Sequence, residues 1–357
     1  MTKNTQTGSI ITNYLLIQQP VAEKIKRKKI VTITGGTGGF ALLSGLKKYP
    51  FDISAIVSMM DNGGSSGTLR KELGVLPAGD ARQCLAAILD DSSEVTKNLM
   101  NYRFESGALK GHNFGNIFLS ALEKVSGGFN AGIEEAVRML NISNQVVPVT
   151  EGDTQIYTKL KSGKILKGED ELDHNKEIKK IGIENIYLKL KVTACKKAIE
   201  KIKSADFVII GPADFYAGIV CNLLVGGIAD AIKNSKAKVI FVCNLTNKKG
   251  QTEGFGVDDY VERINNYLGK DRVDYVVFNT KKPSSELIKR YERVEGKNSK
   301  VLDTQRGVQH LRAKVIKADL LDDSLIKKDK FDAIARTRSF IRHDSKKLGK
   351  VLAQIIK

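Results

Sequence analysis

The sequence predicts an α/β protein with a Rossmann-like fold, in which helices cover both faces of a mostly parallel sheet and a small Lys-rich excursion leaves the main body. Short apolar runs rich in β-branched residues recur along the chain, and stretches of helical periodicity separate them. A glycine-rich turn joins the first run to the first helix. With 357 residues, of which 41% are hydrophobic, the chain can bury the core that such a sheet requires.

The apolar runs are nearly continuous, as expected of strands buried on both faces of a parallel sheet. In chain order they are KIVTIT, ISAIVSM, QVVPVT, DFVIIG, KVIFVCN and DYVVFN. Between them, apolar residues recur at helical spacing from Phe114 to Val125, and Gly127 and Gly128 end that helix. The spacing resumes after Ile133. Strands and helices therefore alternate along the chain.

The composition divides the chain into a main domain and its flanks. Residues 1–28 form an N-terminal extension whose order the sequence leaves open, residues 29–349 form one α/β domain, and residues 350–357 form the C-terminal end. From about residue 150 to residue 202 the pattern changes to short, alternating, Lys-rich segments. This change predicts an excursion that returns to the sheet through the basic helix KKAIEKIKSAD.

Charge and composition exclude several classes of function. The formal net charge of +18 comes mostly from lysine, and tryptophan is absent, so the stacking and bidentate groups of a specific nucleic-acid reader are scarce. No run is long and uncharged enough to predict a membrane span. The leader has its charges after the apolar patch, and the cysteines form no CxxC pair. We expect a cytoplasmic protein with no specific nucleic acid among its partners.

The first glycine-rich stretch, GGTGG, has the spacing of a phosphate cradle. Gly36, Gly38 and Ala41 match GxGxxA directly after a strand and at the start of a helix, where backbone amides and the helix dipole favour an anion. Thr37 and Gly39 complete the candidate set. We expect Gly38→Val to abolish nucleotide binding and to leave a folded protein, because a Cβ would stand in the ligand's way. The alternative is a tight turn without a ligand.

The second predicted strand ends in a further glycine- and serine-rich loop, MMDNGGSSGTLR. Its small residues offer unhindered amides and hydroxyls, as a second anion site would. The two loops together predict a ligand with more than one anionic group, and the alternative is a solvated, flexible loop. The candidate ligand-binding residues of this loop are Asp61, Asn62, Gly63, Gly64, Ser65, Ser66 and Arg70.

Two later strings begin helices with polar residues. In LPAGDARQCL, Asp80 either caps the helix that follows it or contacts a ligand, and Arg82 opposes the helix dipole, which an anionic ligand would explain. In GHNFGN, His112 and Asn113 stand with Asn116 at a helix start, where capping explains one polar group better than three. We include Asp80, Arg82, His112 and Asn113 in the candidate site.

Several longer strings resemble those of the YvcK-type gluconeogenesis-factor family, distant relatives of the CofD 2-phospho-L-lactate transferases. Between Lys29 and Leu348 they are GGTGG, DNGGSSGTLR, LPAGDARQCL, GHNFGN, NLLVGGIADAI, CNLTNKKGQTEGF and RHDSKKL. The resemblance implies a cytoplasmic nucleotide-binding domain that binds a UDP-sugar such as UDP-N-acetylglucosamine. It also implies a role in carbon use and cell-envelope synthesis, and it adds Gly211, Pro212 and Asn244 to the candidate residues.

The sequence departs from the pattern of this family at two places. Where the family has a loop close to GPGSLYTSI, this chain has GPADFYAGI, so Ala213, Ala217 and Gly218 replace a glycine and two hydroxyl residues. Thr68 stands where the family favours arginine. These changes predict the loss of a hydroxyl contact and of one cation near the ligand.

The resemblance leaves two functions open. The first is a regulatory protein that binds a UDP-sugar and acts through protein partners or a homo-oligomer, with NAD disfavoured as the ligand. The second is a CofD-like transferase that forms a phosphodiester, in which Asp61 and Asp80 hold Mg²⁺. No catalytic triad and no zinc-ligand spacing competes with these two.

Overall fold

The computed structural model describes residues 27–296, 299–301, 303, 311–323 and 341–357, so nearly all of the predicted N-terminal extension lies outside the described residues. The strands are β1 (Lys28–Ile33), β2 (Phe51–Val57), β3 (Gln145–Pro148), β4 (Ile156–Leu160), β5 (Ile165–Lys167), β6 (Ile183–Leu188), β7 (Phe207–Ile210), β8 (Lys238–Val242), β9 (Tyr275–Asn279) and β10 (Lys314–Ala318).

The helices alternate with these strands. They are α1 (Gly36–Leu46), α2 (Gly64–Leu73), α3 (Gly79–Ile88), α4 (Glu94–Asn101), α5 (Phe114–Ser126), α6 (Phe129–Met139), α7 (Gly168–His174), α8 (Ile178–Ile181), α9 (Lys196–Ser204), α10 (Cys221–Leu223), α11 (Ile228–Asn234), α12 (Val257–Leu268), α13 (Ser285–Glu295) and α14 (Ser345–Ile356). A π-helical segment, Phe215–Val220, leads into α10. None of the described helices is long and apolar enough to cross a bilayer.

Seven strands form one sheet in the order β10-β9-β8-β7-β1-β2-β3. Every neighbouring pair in it is parallel. The inner strands β1, β2, β7 and β8 are buried over most of their length, which explains their continuous apolar runs. The prediction of a Rossmann-like, mostly parallel sheet is confirmed.

The strand order reverses direction next to β1. From β1 the chain proceeds through β2 to β3 on one side, and it later returns to β7 on the other side and continues outward to β10. Because crossovers between parallel strands are right-handed, the two halves place their helices on opposite faces of the sheet. A crevice therefore forms between the carboxyl ends of β1 and β7, where doubly wound folds bind their ligands.

The Lys-rich excursion is a small antiparallel sheet in the order β5-β4-β6, accompanied by α7 and α8. Its core side chains Ile156, Leu160, Leu166 and Ile186 are buried, although lysines cover its outer face. The excursion leaves the main domain after β3 and returns through α9, as predicted.

Three elements differ from the sequence-based expectations. The edge strand β10 was not predicted, because its residues are exposed or half-buried and lack a continuous apolar run. The π-helical segment was not predicted, because all six of its residues are buried and its sequence therefore shows no alternation of polar and apolar residues. Helix α14 runs across the boundary that the sequence analysis places between residues 349 and 350, and it packs against α1.

Candidate functional site

The first glycine loop begins α1 at the carboxyl end of β1. Gly36 has φ +59°, a left-handed conformation that favours glycine, and a Cβ added there would meet no atom within 4 Å. Its amide donates a hydrogen bond of 2.9 Å to Asp80 Oδ1. The amides of Thr37 and Gly38 follow in the first helical turn, which leaves them without carbonyl partners within the helix. This turn opens into a cleft that Gly36, Thr37 and Gly38 help to line.

Gly38 and Gly39 need to be glycine for a different reason: neighbouring protein atoms leave no room for a side chain. A Cβ on Gly38 would lie 2.3 Å from the carbonyl oxygen of Pro212, which also accepts a hydrogen bond from the Thr34 hydroxyl at 2.8 Å. A Cβ on Gly39 would lie 2.9 Å from Thr34 Oγ1. The expectation that Gly38→Val leaves a folded protein is therefore wrong, because the added side chain collides with the backbone that follows β7.

Asp80 does not cap its own helix. Helix α3 has Ala78 at its N-cap position, and Asp80 lies in its first turn, from which its carboxylate reaches the first amide of α1. The pKa of Asp80 is raised from 3.8 to about 6, chiefly by burial and also by the neighbouring Asp61 carboxylate, while the Gly36 amide acts in the opposite direction. A carboxylate thus already lies where the loop would receive an anion.

Asp61 occupies the equivalent position in the second loop. Its Oδ1 accepts a hydrogen bond of 2.8 Å from the Gly63 amide, and the Ser66 hydroxyl also donates to the carboxylate. Burial nevertheless raises the pKa of Asp61, while Arg70 acts in the opposite direction. Each glycine loop is therefore held by one half-buried carboxylate, and Asp61 lies close enough to Asp80 to disfavour its charge.

The second loop is occupied by protein contacts and does not border the cleft. Ser65 Oγ accepts from the Asn113 amide at 3.2 Å and lies 3.4 Å from His112 Nδ1. Asn62 accepts from the Asp170 amide at 3.0 Å, so the excursion covers it. The guanidinium of Arg70 donates to the carbonyls of Asp61 and Thr154 and pairs with Asp153. Gly63 is the N-cap residue of α2, Gly64 begins that helix with φ +48°, and Thr68 bonds back to the Gly64 carbonyl.

Arg82, Asn113 and Asn116 form a buried network between α3, α4 and α5. Arg82 donates to the side chains of Asn116 at 3.0 Å and Asn101 at 2.5 Å. Asn113 is the N-cap residue of α5 and accepts from the Asn116 amide at 3.3 Å. Asn116 also donates to Ser66 at 3.3 Å. These residues support the second loop from behind, so the cation at Arg82 is explained by amide oxygens and not by a ligand.

A group of charges that the sequence analysis missed connects the excursion to the main domain. Asp214 follows β7, and its Oδ1 accepts from the amides of Tyr216 and Ala217 at 3.1 and 2.9 Å. Its other oxygen pairs with Lys248, which donates to Asp173 of α7 at 2.9 Å. Lys248 lowers the pKa of Asp214 against the effect of burial, and the two carboxylates raise the pKa of Lys248. The ammonium therefore remains charged.

The departures at the GPADFYAGI loop compensate each other sterically. A Cβ on Gly218 would lie 2.8 Å from the Cβ of Ala213, so the side chain gained at one position occupies the space left at the other. Gly211 has φ +75°, and a Cβ on it would lie 2.9 Å from the Val242 carbonyl oxygen. Ala213, Ala217 and Gly218 all line the cleft, so this wall presents no side-chain hydroxyl at those three positions.

The cleft has a volume of about 790 Å³ and lies at the carboxyl ends of β1, β7 and β8. Both signs of charge line it: acids lie at the glycine loop, after β7 and on α7, and cations lie on the excursion, after β8 and just before α14. The predicted residues in its lining are Gly36, Thr37, Gly38, Asp80, Pro212 and Asn244. Charged or ionisable lining residues that were not predicted include Glu169, Asp173, Asp214, Lys176, Lys179, Lys248, Lys249, Arg342 and His343.

Four of these residues lay in strings that carried the family resemblance. Lys248 and Lys249 belong to CNLTNKKGQTEGF, and Arg342 and His343 belong to RHDSKKL. Burial lowers the pKa of His343 to about 4, while a hydrogen bond to the Cys243 carbonyl acts in the opposite direction. The histidine is therefore neutral at physiological pH. Among the described residues, no group of three or more His, Cys, Asp or Glu side chains is placed to hold a metal ion, so a metal here would have at most two such ligands.

The fold and the cleft define a doubly wound α/β protein with a polar cleft at its topological switch point. A sequence comparison with known protein families matches residues 30–321 to the family described as 2-phospho-L-lactate transferase CofD. A relative from Thermotoga maritima is 39% identical over 329 residues, which are 92% of this chain and 99% of that protein. The gluconeogenesis factor of Bacillus subtilis is 30% identical over 334 residues, 93% of this chain and 99% of its own.

A crystal structure of a UPF0052-family protein from Bacillus halodurans has the same fold. It matches with a TM-score of 0.81 at 30% sequence identity and covers 92% of this chain and 99% of that one. The chain therefore belongs to the gluconeogenesis-factor family of CofD-like proteins. The resemblance inferred from its sequence strings is confirmed.

Proposed function

We propose that this protein is a cytoplasmic regulatory protein that binds a nucleotide sugar, with UDP-N-acetylglucosamine as the leading ligand. In this proposal it links carbon metabolism during gluconeogenic growth to cell-envelope morphogenesis. The observation that carries the proposal is the first turn of α1, which opens into the cleft of about 790 Å³. The amides of Thr37 and Gly38 favour an anion there, and five Lys and Arg residues line the same cleft.

Two further points support a regulator. The relatives from Bacillus subtilis and Halalkalibacterium halodurans carry the name gluconeogenesis factor, which describes a role in carbon metabolism and not a reaction. Several ionisable groups of the cleft are already engaged: Lys248 pairs with Asp173 and Asp214, and Asp80 accepts from Gly36. Such an arrangement suits binding better than nucleophilic attack.

The second candidate function is a CofD-like, Mg²⁺-dependent transferase that forms a phosphodiester. The observation that favours it is the Asp80 carboxylate at the first amide of α1, with Asp61 close to it. A phosphate at this loop would meet a negative charge, and a magnesium ion held by one or two carboxylates would bridge the two. The donor set fits Mg²⁺, which keeps several waters and needs few protein ligands.

Thermal-shift and calorimetric titrations with UDP-N-acetylglucosamine and NAD test both functions. For the regulator we expect a larger shift with the UDP-sugar than with NAD, of about 2.7 kcal/mol when ligand exceeds Kd a hundredfold. Binding should persist in EDTA. For the transferase, binding or turnover should require Mg²⁺, and a new phosphodiester or released UMP should appear in the mixture. An equal or larger shift with NAD would contradict both and favour a dinucleotide enzyme.

A regulator also needs an output. We propose that ligand occupancy passes to a protein partner or changes a homo-oligomer. Size-exclusion chromatography coupled to light scattering, with and without UDP-N-acetylglucosamine, would detect the second route. An unchanged mass in both conditions would leave the protein partner as the output.

A further inference from the structure

A second, smaller pocket lies next to the cleft, on the side of β9 and α13. It has a volume of about 230 Å³, and its apolar side chains are Leu245, Phe278, Ile288, Tyr291, Val301 and Ile341. Pockets for whole ligands are typically about 300–1,000 Å³, so this one suits a single ring and not a complete nucleotide. Asn244, Leu245, Thr246, Tyr291 and Ile341 line both spaces, so the pocket is directly adjacent to the cleft.

Two hydrogen-bond acceptors belong to residues of the cleft lining, and one of these residues, Asn244, also lines the side pocket. Asn244 Nδ2 donates to the Ala213 carbonyl at 2.9 Å, which fixes the amide, and its Oδ1 is buried without a hydrogen-bond partner among the described residues. His343 is 7% exposed, donates to the carbonyl of Cys243, and likewise has a buried Nε2 without a described partner. Because Cys243 and Asn244 are consecutive, both acceptors lie beside the same peptide.

A buried acceptor without a partner destabilises the protein, because it has lost its hydrogen bonds to water and gained none in return. A donor on a bound ligand can restore a hydrogen bond there. The tautomer of His343 that donates from Nδ1 to Cys243 leaves a lone pair on Nε2. Two acceptors that are both fixed near the Cys243–Asn244 peptide match two adjacent hydroxyl donors, as in a vicinal diol. The end of β8 lies two strand spacings, about 10 Å, from the α1 loop at the end of β1. A ribose joined to a diphosphate can bridge that span.

We propose that Asn244 and His343 bind the ribose diol of a nucleotide whose base enters the apolar side pocket and whose phosphates extend toward α1. The inference rests on the proposed nucleotide-binding function. It assigns a specificity-determining role to His343, and it explains why both acceptors are held rigidly. Helix α14 contributes to this rigidity, since Asp344 caps it and donates its amide to the Leu320 carbonyl at 2.8 Å.

Calorimetric titration with UDP and with 2′,3′-dideoxyuridine 5′-diphosphate tests the proposal. The wild type should bind UDP about tenfold more tightly than the dideoxy analogue, because two hydrogen bonds to hydroxyls are lost. In His343→Asn, whose amide nitrogen can still donate to Cys243, the ratio should fall toward one with the dideoxy affinity unchanged. Asn244→Ala should act in the same direction. Asn234→Ala, at the exposed end of α11, serves as the matched control and should keep the tenfold ratio.

Other outcomes would overturn the inference. Equal weakening of UDP and the dideoxy analogue by His343→Asn would mean a structural role, which a lower melting temperature of the free variant would corroborate. A loss confined to UDP-N-acetylglucosamine would show that the acceptors bind the sugar and not the ribose. Binding of UDP by the wild type without preference over the analogue would overturn this inference alone. No binding of UDP or UDP-N-acetylglucosamine would overturn the proposed function as well.

Discussion

Replacing Asp80 by asparagine should stabilise the protein at neutral and alkaline pH. The folded protein raises the pKa of this carboxyl from 3.8 to about 6, so it favours the protonated form. The charged form therefore lowers the free energy of unfolding above pH 6, and this effect disappears below about pH 4. At about 1.36 kcal/mol per pKa unit, the charge lowers stability by up to about 3 kcal/mol. Asparagine keeps an oxygen that can accept from the Gly36 amide, so Asp80→Asn removes the charge alone.

Urea denaturation followed by circular dichroism measures this difference, since the chain has no tryptophan for fluorescence. We expect Asp80→Asn to exceed the wild type by about 2–3 kcal/mol at pH 8 and to match it near pH 4. Asp90→Asn, in the exposed segment after α3, is the matched control. Hydrogen bonds from Ser92 lower the pKa of Asp90, so its removal should give no gain at pH 8. Equal stability of Asp80→Asn and wild type at pH 8 would refute the assignment of a buried, disfavoured charge.

Three further changes test the packing of the site. Gly38→Ala should lower the melting temperature of the free protein, because the new Cβ would lie 2.3 Å from a backbone carbonyl oxygen; an unchanged value would contradict that approach. Lys248→Met should lower the free energy of unfolding by about 2 kcal/mol in urea. Lys159→Met, which breaks an exposed pair, should lower it much less, and similar losses would disprove a stabilising role of the partly buried Lys248 ion pairs. Gly218→Ser should destabilise the protein, and Ala213→Gly in the same chain should restore it; additive losses in this double-mutant cycle would show that the positions do not compete for space.

Much of the fold was predictable because its signals are local. The runs that became β1, β2, β7, β8 and β9 are buried on both sides and are therefore continuously apolar. The edge strand β10 has lysine at two of its five positions, because a strand at the border of a sheet is only partly covered, and so it escaped prediction. The return of the chain from the excursion was recognised by the basic composition of α9.

The candidate site was only partly predictable. The spacing of the first loop correctly indicated a helix start after β1, and Gly36 has the left-handed conformation for which glycine is suited. The partner of Asp80 could not be predicted, since a carboxylate at a helix start caps whichever amide lies nearest in space. Arg82 was assigned to a ligand because the Asn101 and Asn116 oxygens that bind it are distant in sequence.

The sequence by itself determined the alternation of strands and helices, the glycine turn that begins α1, and the family to which the chain belongs. Each of these depends on residues that are neighbours in the chain, so periodicity and short strings are sufficient to find them. The tertiary structure decided that β7 pairs with β1, and thereby brought Pro212 against Gly38. It also decided that His343 lies beside Cys243. These contacts join residues about a hundred or more positions apart, and only the order of strands in the sheet determines which of them meet.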